Sequence, residues 1–362
     1  MRLSQVVRPG PGQFLCESGA LNQLDQKLAS FNNPVIITGE LSYQAFKKHY
    51  SGSLNLPVFQ YDGTASHEDM ERLSSLIKKT DCVVGIGGGR ALDTAKGTAE
   101  LLKVEYVTIP TVLGTCAAYT PLSAVYHPDH TFKVVDYYEK AALLCLMDLD
   151  LLVESPKNYF MGGIGDTLAK YYEAEGITRH IEGNLPAMVQ VGLKTAKVTQ
   201  ELLLKDSAEA LKSLENTEVT DAFKRVAETV IAIAGTVGGF AGEYGRMAGA
   251  HAVHNGMSLI QETHVFEHGV KVAYGVLIQL WASGDEKEVR KLLLFFESNH
   301  FPHRFSDFAV KNNFLEKAKK VADFAASDNE TFKLAVPGVT KEAIFEAMNA
   351  VEDFSKSVSG NY

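Results

Sequence analysis

Gly85-Ile86-Gly87-Gly88-Gly89-Arg90-Ala91-Leu92-Asp93-Thr94-Ala95-Lys96 is the stretch on which the fold turns. The apolar run 81–86 leads into it as a buried strand, and residues 91–103 leave it with helical periodicity. Glycines at such a turn let the backbone approach a pyrophosphate, while the helix N-terminus offers N–H donors and positive potential. The spacing departs from G-x-G-x-x-G: Gly85 and Gly87 fit, but Arg90 stands at the third position. A turn of this kind also occurs as a plain tight connection between strand and helix.

Working outward, short apolar runs at 34–38, 58–61, 81–86 and 106–109 alternate with helical patterns at 43–50, 67–79 and 91–103. That alternation predicts a parallel, doubly wound, Rossmann-like sheet. Residues 120–147 differ, with strand-like runs at 122–126, 132–135 and 143–147 and little room for helices. Beyond the Ser155-Pro156 break helical patterns dominate, at 166–178, 186–205, 220–240, 248–257 and 271–281. The expected organisation is an α/β dinucleotide-binding domain over 1–155 and an all-α domain over 156–362, with a ligand cleft between them.

Composition narrows the function. The 362 residues are 46% hydrophobic and 22% charged, which excludes disorder, collagen-like repeats and a disulfide scaffold. Thirty-five Lys and Arg against 44 Asp and Glu leave a net charge of −9, so neither nucleic acid nor an anionic membrane is the expected partner. A small-molecule substrate is. Cys16, Cys82, Cys116 and Cys145 are scattered without a CxxC, as reduced thiols are in a cytoplasmic protein. No apolar run approaches the ~18 residues of a membrane span, the longest candidate being 230–242. Met1-Arg2-Leu3-Ser4-Gln5 lacks the apolar core of a signal peptide.

Several polar residues suit a metal. Asp166 follows glycines near a helix start, His251 and His254 are three apart, and His264 and His268 are four apart. Carboxylate and neutral imidazole suit Zn²⁺ or Fe²⁺, and three protein ligands leave a position open for a substrate oxygen. Spacing alone does not choose among His180, His251, His254, His264 and His268.

The ordered motifs Gly87-Gly88-Gly89-x-x-x-Asp93-Thr94-Ala95-Lys96, Pro110-Thr111-x-x-x-Thr115, Gly163-x-Gly165-Asp166-x-Leu168-Ala169, Ala250-His251-Ala252-Val253-His254-Asn255-Gly256 and His268-Gly269-x-Lys271-Val272-Ala273 span nearly the whole chain. Together they resemble the iron-containing alcohol dehydrogenase superfamily, in its glycerol dehydrogenase branch. The resemblance implies a dehydroquinate synthase-like fold, a nicotinamide cofactor and a homo-oligomer. It implies Asp166, His251 and His268 as ligands of one divalent metal, zinc or iron, and places His254 by the nicotinamide as a proton relay. It gives His264 no role. It implies cofactor contacts at Gly88, Gly89, Arg90, Asp93, Thr111, Gly114, Thr120, Leu122 and Tyr126. At the end of the 34–38 strand, Glu40 stands where glycerol dehydrogenases carry an Asp that bonds the adenosine ribose. A carboxylate accepts from both ribose hydroxyls and repels a 2′-phosphate, which favours NAD over NADP.

One segment departs from the glycerol enzymes. Their polyol-holding Asp is matched here by Cys116, a thiol that poorly replaces a carboxylate as acceptor. Two cations enter instead: Lys170, four residues after Asp166, and Arg246, five before His251. With the run Thr115-Cys116-Ala117-Ala118-Tyr119-Thr120-Pro121-Leu122-Ser123, they resemble the 2-hydroxycarboxylate dehydrogenases of the same branch. An oxidoreductase acting on small 2-hydroxy or 2-oxo acids is therefore expected, with Lys170 and Arg246 on the substrate carboxylate. Cys116 and Tyr119 are further candidates for substrate contact. That subgroup implies NADPH, so NADP stays open against Glu40. The alternatives are a glycerol dehydrogenase, a dehydroquinate synthase-like lyase and a silent binding protein on the same scaffold.

Overall fold

The computed structural model describes residues 6–359; residues 1–5, to which the signal-peptide reading applies, lie outside the described residues. The chain divides into two compact units: Arg8–Phe160 with Lys212–Gly239, and Met161–Leu211 with the stretch from Phe240 onward.

In the first unit, β1 (Gln13–Glu17), β2 (Pro34–Thr38), β3 (Val58–Gln60), β4 (Cys82–Gly87) and β5 (Glu105–Pro110) share a sheet with β8 (Leu144–Asp148). The order is β1-β8-β5-β4-β2-β3 and every pairing is parallel. Between β5 and β8, β6 (Leu122–Tyr126) and β7 (Phe132–Tyr137) form a separate antiparallel hairpin. All five residues of β2 and all of β4 and β8 are buried, because a central parallel strand is covered on both faces. The helices of this part are α1 (Leu24–Leu28), α2 (Glu40–His49), α3 (His67–Leu76), α4 (Gly89–Leu102) and α5 (Leu149–Leu152). α4 lies on β2, β4 and β5 beside α3.

Register brings the strand ends together. Thr38 pairs with Ile86 and Gly87 with Pro110, so the ends of β2, β4 and β5 meet at one edge of the sheet. In doubly wound folds this carboxyl edge is where ligands bind.

The chain continues through α6 (Lys157–Thr178), α7 (Ala187–Asn216), α8 (Asp221–Glu228), α9 (Ala234–Ala241), α10 (Gly249–Met257), α11 (His268–Ala282), α12 (Glu286–Ser298), α13 (Phe314–Ala325), α14 (Phe332–Ala335) and α15 (Lys341–Ser359). The single helical pattern read at 220–240 is two helices joined by a π-helical turn, Thr229–Ile233. α8 packs on β1 and that turn packs on Cys116–Ala118, which is why residues 212–239 group with the α/β unit rather than with the helices around them in sequence. The helical run Asp221–Gly245 is long and apolar enough to cross a membrane, a length the sequence reading missed; 67% of its most apolar window is buried inside the protein, as in a core helix.

In the second unit α10 packs against α11 and α13, and α11 against α15. α6 and α11 approach through glycine. A Cβ on Gly269 would overlap the Gly162 carbonyl oxygen, and one on Gly165 would collide with Gly269 in turn. Only bare backbone allows this approach, and it sets Asp166 beside the first turn of α11.

Candidate active site

In the helical unit three side chains converge. Asp166 comes from α6, His251 from α10 and His268 from the first position of α11. One ligand atom from each lies within 4.8 Å of the other two. His251 Nε2 is 3.4 Å and His268 Nε2 3.5 Å from Asp166 Oδ1. This is the set that the resemblance implied. Of the other histidines, His264 Nε2 is 2.8 Å from the Ser258 carbonyl oxygen and His180 Nε2 3.0 Å from that of Ala335, each an ordinary side-chain to backbone bond.

The donor set fits a divalent cation, because partners on the far sides of the rings aim the ligand atoms inward. Glu173 lies two helical turns after Asp166 on α6 and is 1% exposed. Its Oε2 is 2.7 Å from His251 Nδ1, while its Oε1 accepts from the backbone N–H of Ala248 at 2.7 Å and of His251 at 3.0 Å. A carboxylate accepts only, so Nδ1 carries a hydrogen, and Nε2 is the ring atom aimed at Asp166, where its own hydrogen gives way to a cation. Gln279 steadies the start of α10 by accepting from the N–H groups of Gly249 and Ala250.

The electrostatics agree. Burial would lower the His251 imidazole, but the Glu173 and Asp166 carboxylates outweigh it and raise the pKa to about 10. Burial would raise Asp166, yet hydrogen bonds from His251 and His268, with Lys170 nearby, hold it well below the usual carboxylate range. The site thus stabilises positive charge between its side chains, which a cation supplies when it takes the proton's place.

His254 belongs to the same cluster. Its Nε2 is 3.0 Å from His268 Nδ1 and its Nδ1 is 3.0 Å from Asn255 Oδ1. Burial, with His268 and Lys271 nearby, holds it well below the usual imidazole range, so the ring is neutral. Both ring nitrogens are engaged. Lys170 is half-buried on α6 near Asp166, and half-buried Arg246 follows the Gly242–Gly245 turn just ahead of α10.

The α/β unit carries the other group of expected residues. Gly88 is the N-cap of α4 and no side chain caps it, leaving the first N–H groups of that helix for an anion. A Cβ on Gly87 would stand 2.6 Å from that of Ala91, and one on Gly89 would stand 3.1 Å from Thr115 Oγ1. The turn is therefore bare backbone, as a pyrophosphate cradle requires. Thr111 follows β5 and Gly114 the same loop, while Glu40 is exposed at the first position of α2 beyond β2. These positions share the carboxyl edge of the sheet with Gly88 and Gly89.

Arg90 extends over the Tyr126 ring, 4.9 Å from its centroid. Asp93 is turned inward: its Oδ2 accepts from the Ala124 N–H at 3.2 Å, and its Oδ1 is 2.8 Å from Lys96 Nζ, an ion pair without hydrogen-bond alignment. Sequence reasoning gave Lys96 no role. Its buried ammonium donates to the carbonyls of Ala117, Thr120 and Leu122, pinning the loop that holds Cys116 and Thr120. Cys116 is half-buried at the start of that loop. Tyr119 packs 5.9 Å from Phe14, centroid to centroid, with its hydroxyl 3.4 Å from Thr236 Oγ1, which favours a packing role over substrate contact.

The sequence profile of the family described as "Iron-containing alcohol dehydrogenase" matches residues 11–148. The chain is 31% identical over 354 residues to hydroxycarboxylate dehydrogenase A of Escherichia coli strain K12, covering 95% of this chain and 97% of that protein. It is 32% identical over 362 aligned residues to glycerol dehydrogenase of Thermotoga maritima, covering 96% of each. The crystal structure of glycerol dehydrogenase from Schizosaccharomyces pombe shares the fold, with a TM-score of 0.86 at 23% identity over 99% of this chain and 94% of that one. With two relatives above 30% identity along almost its full length, the chain belongs to the iron-containing alcohol dehydrogenase family of oxidoreductases.

Proposed function

We propose that the protein transfers a hydride between NAD and a small 2-hydroxy or 2-oxo carboxylic acid, at a divalent cation held by Asp166, His251 and His268. The observation that carries the reading is the convergence of those three ligand atoms within 4.8 Å, with Glu173 orienting one of them. When bound, the cation supplies Lewis acidity at the substrate C–O oxygen and the nicotinamide supplies or accepts the hydride. Asp plus two imidazoles accepts zinc or iron. The α4 N-terminus at Gly88 and Gly89 holds the pyrophosphate, and Glu40 accepts from the adenosine ribose, favouring NAD.

Lys170 and Arg246 select the acid. A substrate carboxylate makes charge-assisted hydrogen bonds to Lys or Arg that a neutral alcohol cannot make. Similarity to hydroxycarboxylate dehydrogenase A along 95% of the chain supports this choice. Glycerol oxidation is the second reading, because a glycerol dehydrogenase is equally similar at 32% identity; Cys116 in place of the polyol-holding Asp speaks against it. Four free cysteines suit a reducing compartment such as the cytoplasm.

Initial rates with zinc- or iron-loaded protein test the proposal: 2-oxobutanoate and 2-oxoglutarate with NADH and NADPH, glycerol with NAD⁺. Oxo-acid reduction with NADH, glycerol being inert, is the expected outcome. Glycerol turnover with the oxo acids inert would return the protein to the polyol group.

A further inference from the structure

His251 has a carboxylate directly behind it, whereas His268 has another histidine. A ring that offers its Nε2 lone pair to a cation must carry its hydrogen on Nδ1, and that N–H needs an acceptor. For His268 the atom opposite Nδ1 is His254 Nε2, 3.0 Å away. To accept there, neutral His254 must carry its own hydrogen on Nδ1, which faces Asn255 Oδ1 at 3.0 Å. That requirement in turn fixes the Asn255 amide with its oxygen toward His254 and its Nδ2 outward. Asn255 Nδ2 donates to both carboxylate oxygens of Glu330, each 3.2 Å away.

The polarity of the chain is thus set at its far end. With the opposite amide orientation, Asn255 Oδ1 would face a carboxylate, acceptor against acceptor, and Nδ2 would force His254 into the wrong tautomer. Glu330 lies in the segment between α13 and α14, 75 residues from Asn255 in sequence. It is held at the start of α10 by its neighbour Thr331, whose Oγ1 donates to the Ala248 carbonyl at 2.8 Å.

We infer that Glu330 is a positioning residue for the metal ligand His268, acting through the Asn255–His254 relay. It does for His268 at three removes what Glu173 does for His251 directly. The inference rests on the proposed cation site at Asp166, His251 and His268, and its test separates the two.

Zn²⁺ affinity of the full-length protein is measured by competition with a chromophoric chelator. Glu330→Gln keeps one oxygen that can accept from Asn255 Nδ2, but its amide can equally donate to a reversed Asn255, so the relay is no longer held in one direction. Zn²⁺ binding is expected to weaken about tenfold, the low end for a disturbed outer partner of a ligand. Adding Asn255→Asp to it reverses the donor and acceptor at that single link, with the 330 amide donating to the new carboxylate, which again accepts from His254 Nδ1. The double variant is expected to recover affinity to within about threefold of wild type, a rescue that a packing role would not produce. A Glu330→Gln variant that binds like wild type, or a double variant no tighter than the single one, overturns the inference.

Side-chain ¹⁵N spectra of histidine-labelled, metal-free protein read the same relay without any metal. Wild type should show His254 with its hydrogen on Nδ1, toward Asn255 Oδ1, and shifting toward the Nε2–H form in Glu330→Gln. Unchanged tautomers in Glu330→Gln overturn the inference. Failure of wild type to bind Zn²⁺ overturns the cation site, while the spectra still decide the relay.

Discussion

Glu173 grips His251 with both carboxylate oxygens, Oε2 at 2.7 Å from ring Nδ1 and Oε1 at 3.0 Å from the backbone N–H of the same residue. One buried side chain on α6 therefore fixes both the hydrogen at His251 Nδ1 and the helix start that carries the ring.

Glu173→Gln breaks that double grip, because the amide brings a donor against an N–H. Metal affinity should fall about 10- to 100-fold, read by chelator competition. Affinity equal to wild type would mean that His251 is oriented by packing alone.

Lys170 and Arg246 are the residues proposed to hold a substrate carboxylate. Lys170→Ala and Arg246→Ala should each raise KM for 2-oxo acids about tenfold or more, the worth of a hydrogen bond to a charged group. KM for a neutral alcohol should move far less. Lys170 also stands near Asp166, so the comparison is made at saturating metal. Equal effects on acids and alcohols would show that neither residue reads a carboxylate.

Gly87→Val should weaken NADH binding at least about tenfold while leaving metal affinity intact. The added Cβ would sit 2.6 Å from that of Ala91, pushing the turn off the α4 N-terminus. The backbone there has φ 155°, where a β-branched residue is strained by about 1–3 kcal/mol. Fluorescence titration with NADH measures the effect, and unaltered affinity would remove the turn from the nucleotide site.

Asp307 gives a pH signature in the helical unit. Burial would raise its carboxyl, but Arg304, with the N–H groups of His303 and Arg304, outweighs burial and holds it below the ordinary range. A carboxyl lowered in the folded state stabilises above its unfolded value, about 3.9, and that contribution is lost as pH falls through the lower folded value. Asp307→Asn keeps an oxygen for the N–H groups but loses the Arg304 ion pair, and should cost about 0.5–1 kcal/mol at neutral pH, the upper worth of a part-exposed pair, with the gap to wild type closing in acid. Thermal melts across pH check this; a gap constant with pH would contradict the ion-pair account.

The fold was largely legible because its central strands are covered on both faces, so β2, β4, β5 and β8 read as apolar runs whose sequence reveals them. β1 was not: Gln13-Phe14-Leu15-Cys16-Glu17 is an edge strand with an exposed, mixed pattern and no hydrophobic run to betray it. The break inside 220–240 was equally hidden, since a π-helical turn keeps an apolar composition. The candidate metal ligands Asp166, His251 and His268 were singled out only through the motifs they share with a family. Glu173 could have been found, because seven residues after Asp166 is the same helix face two turns on. Glu330 could not: nothing local in sequence links it to Asn255, and only the packing of the 330 segment onto α10 brings the two together. Lys96 hid for a related reason, its carbonyl partners being backbone atoms that no side-chain pattern announces.

The most direct test of the account is His268→Ala, assayed with NADH and 2-oxobutanoate beside chelator-stripped and metal-restored wild type. Stripping should abolish turnover and restoration recover it, while His268→Ala should hold no metal, turn over nothing and still bind NADH. Turnover by His268→Ala at the wild-type rate, or by wild type after complete stripping, would contradict the metal centre on which the account stands.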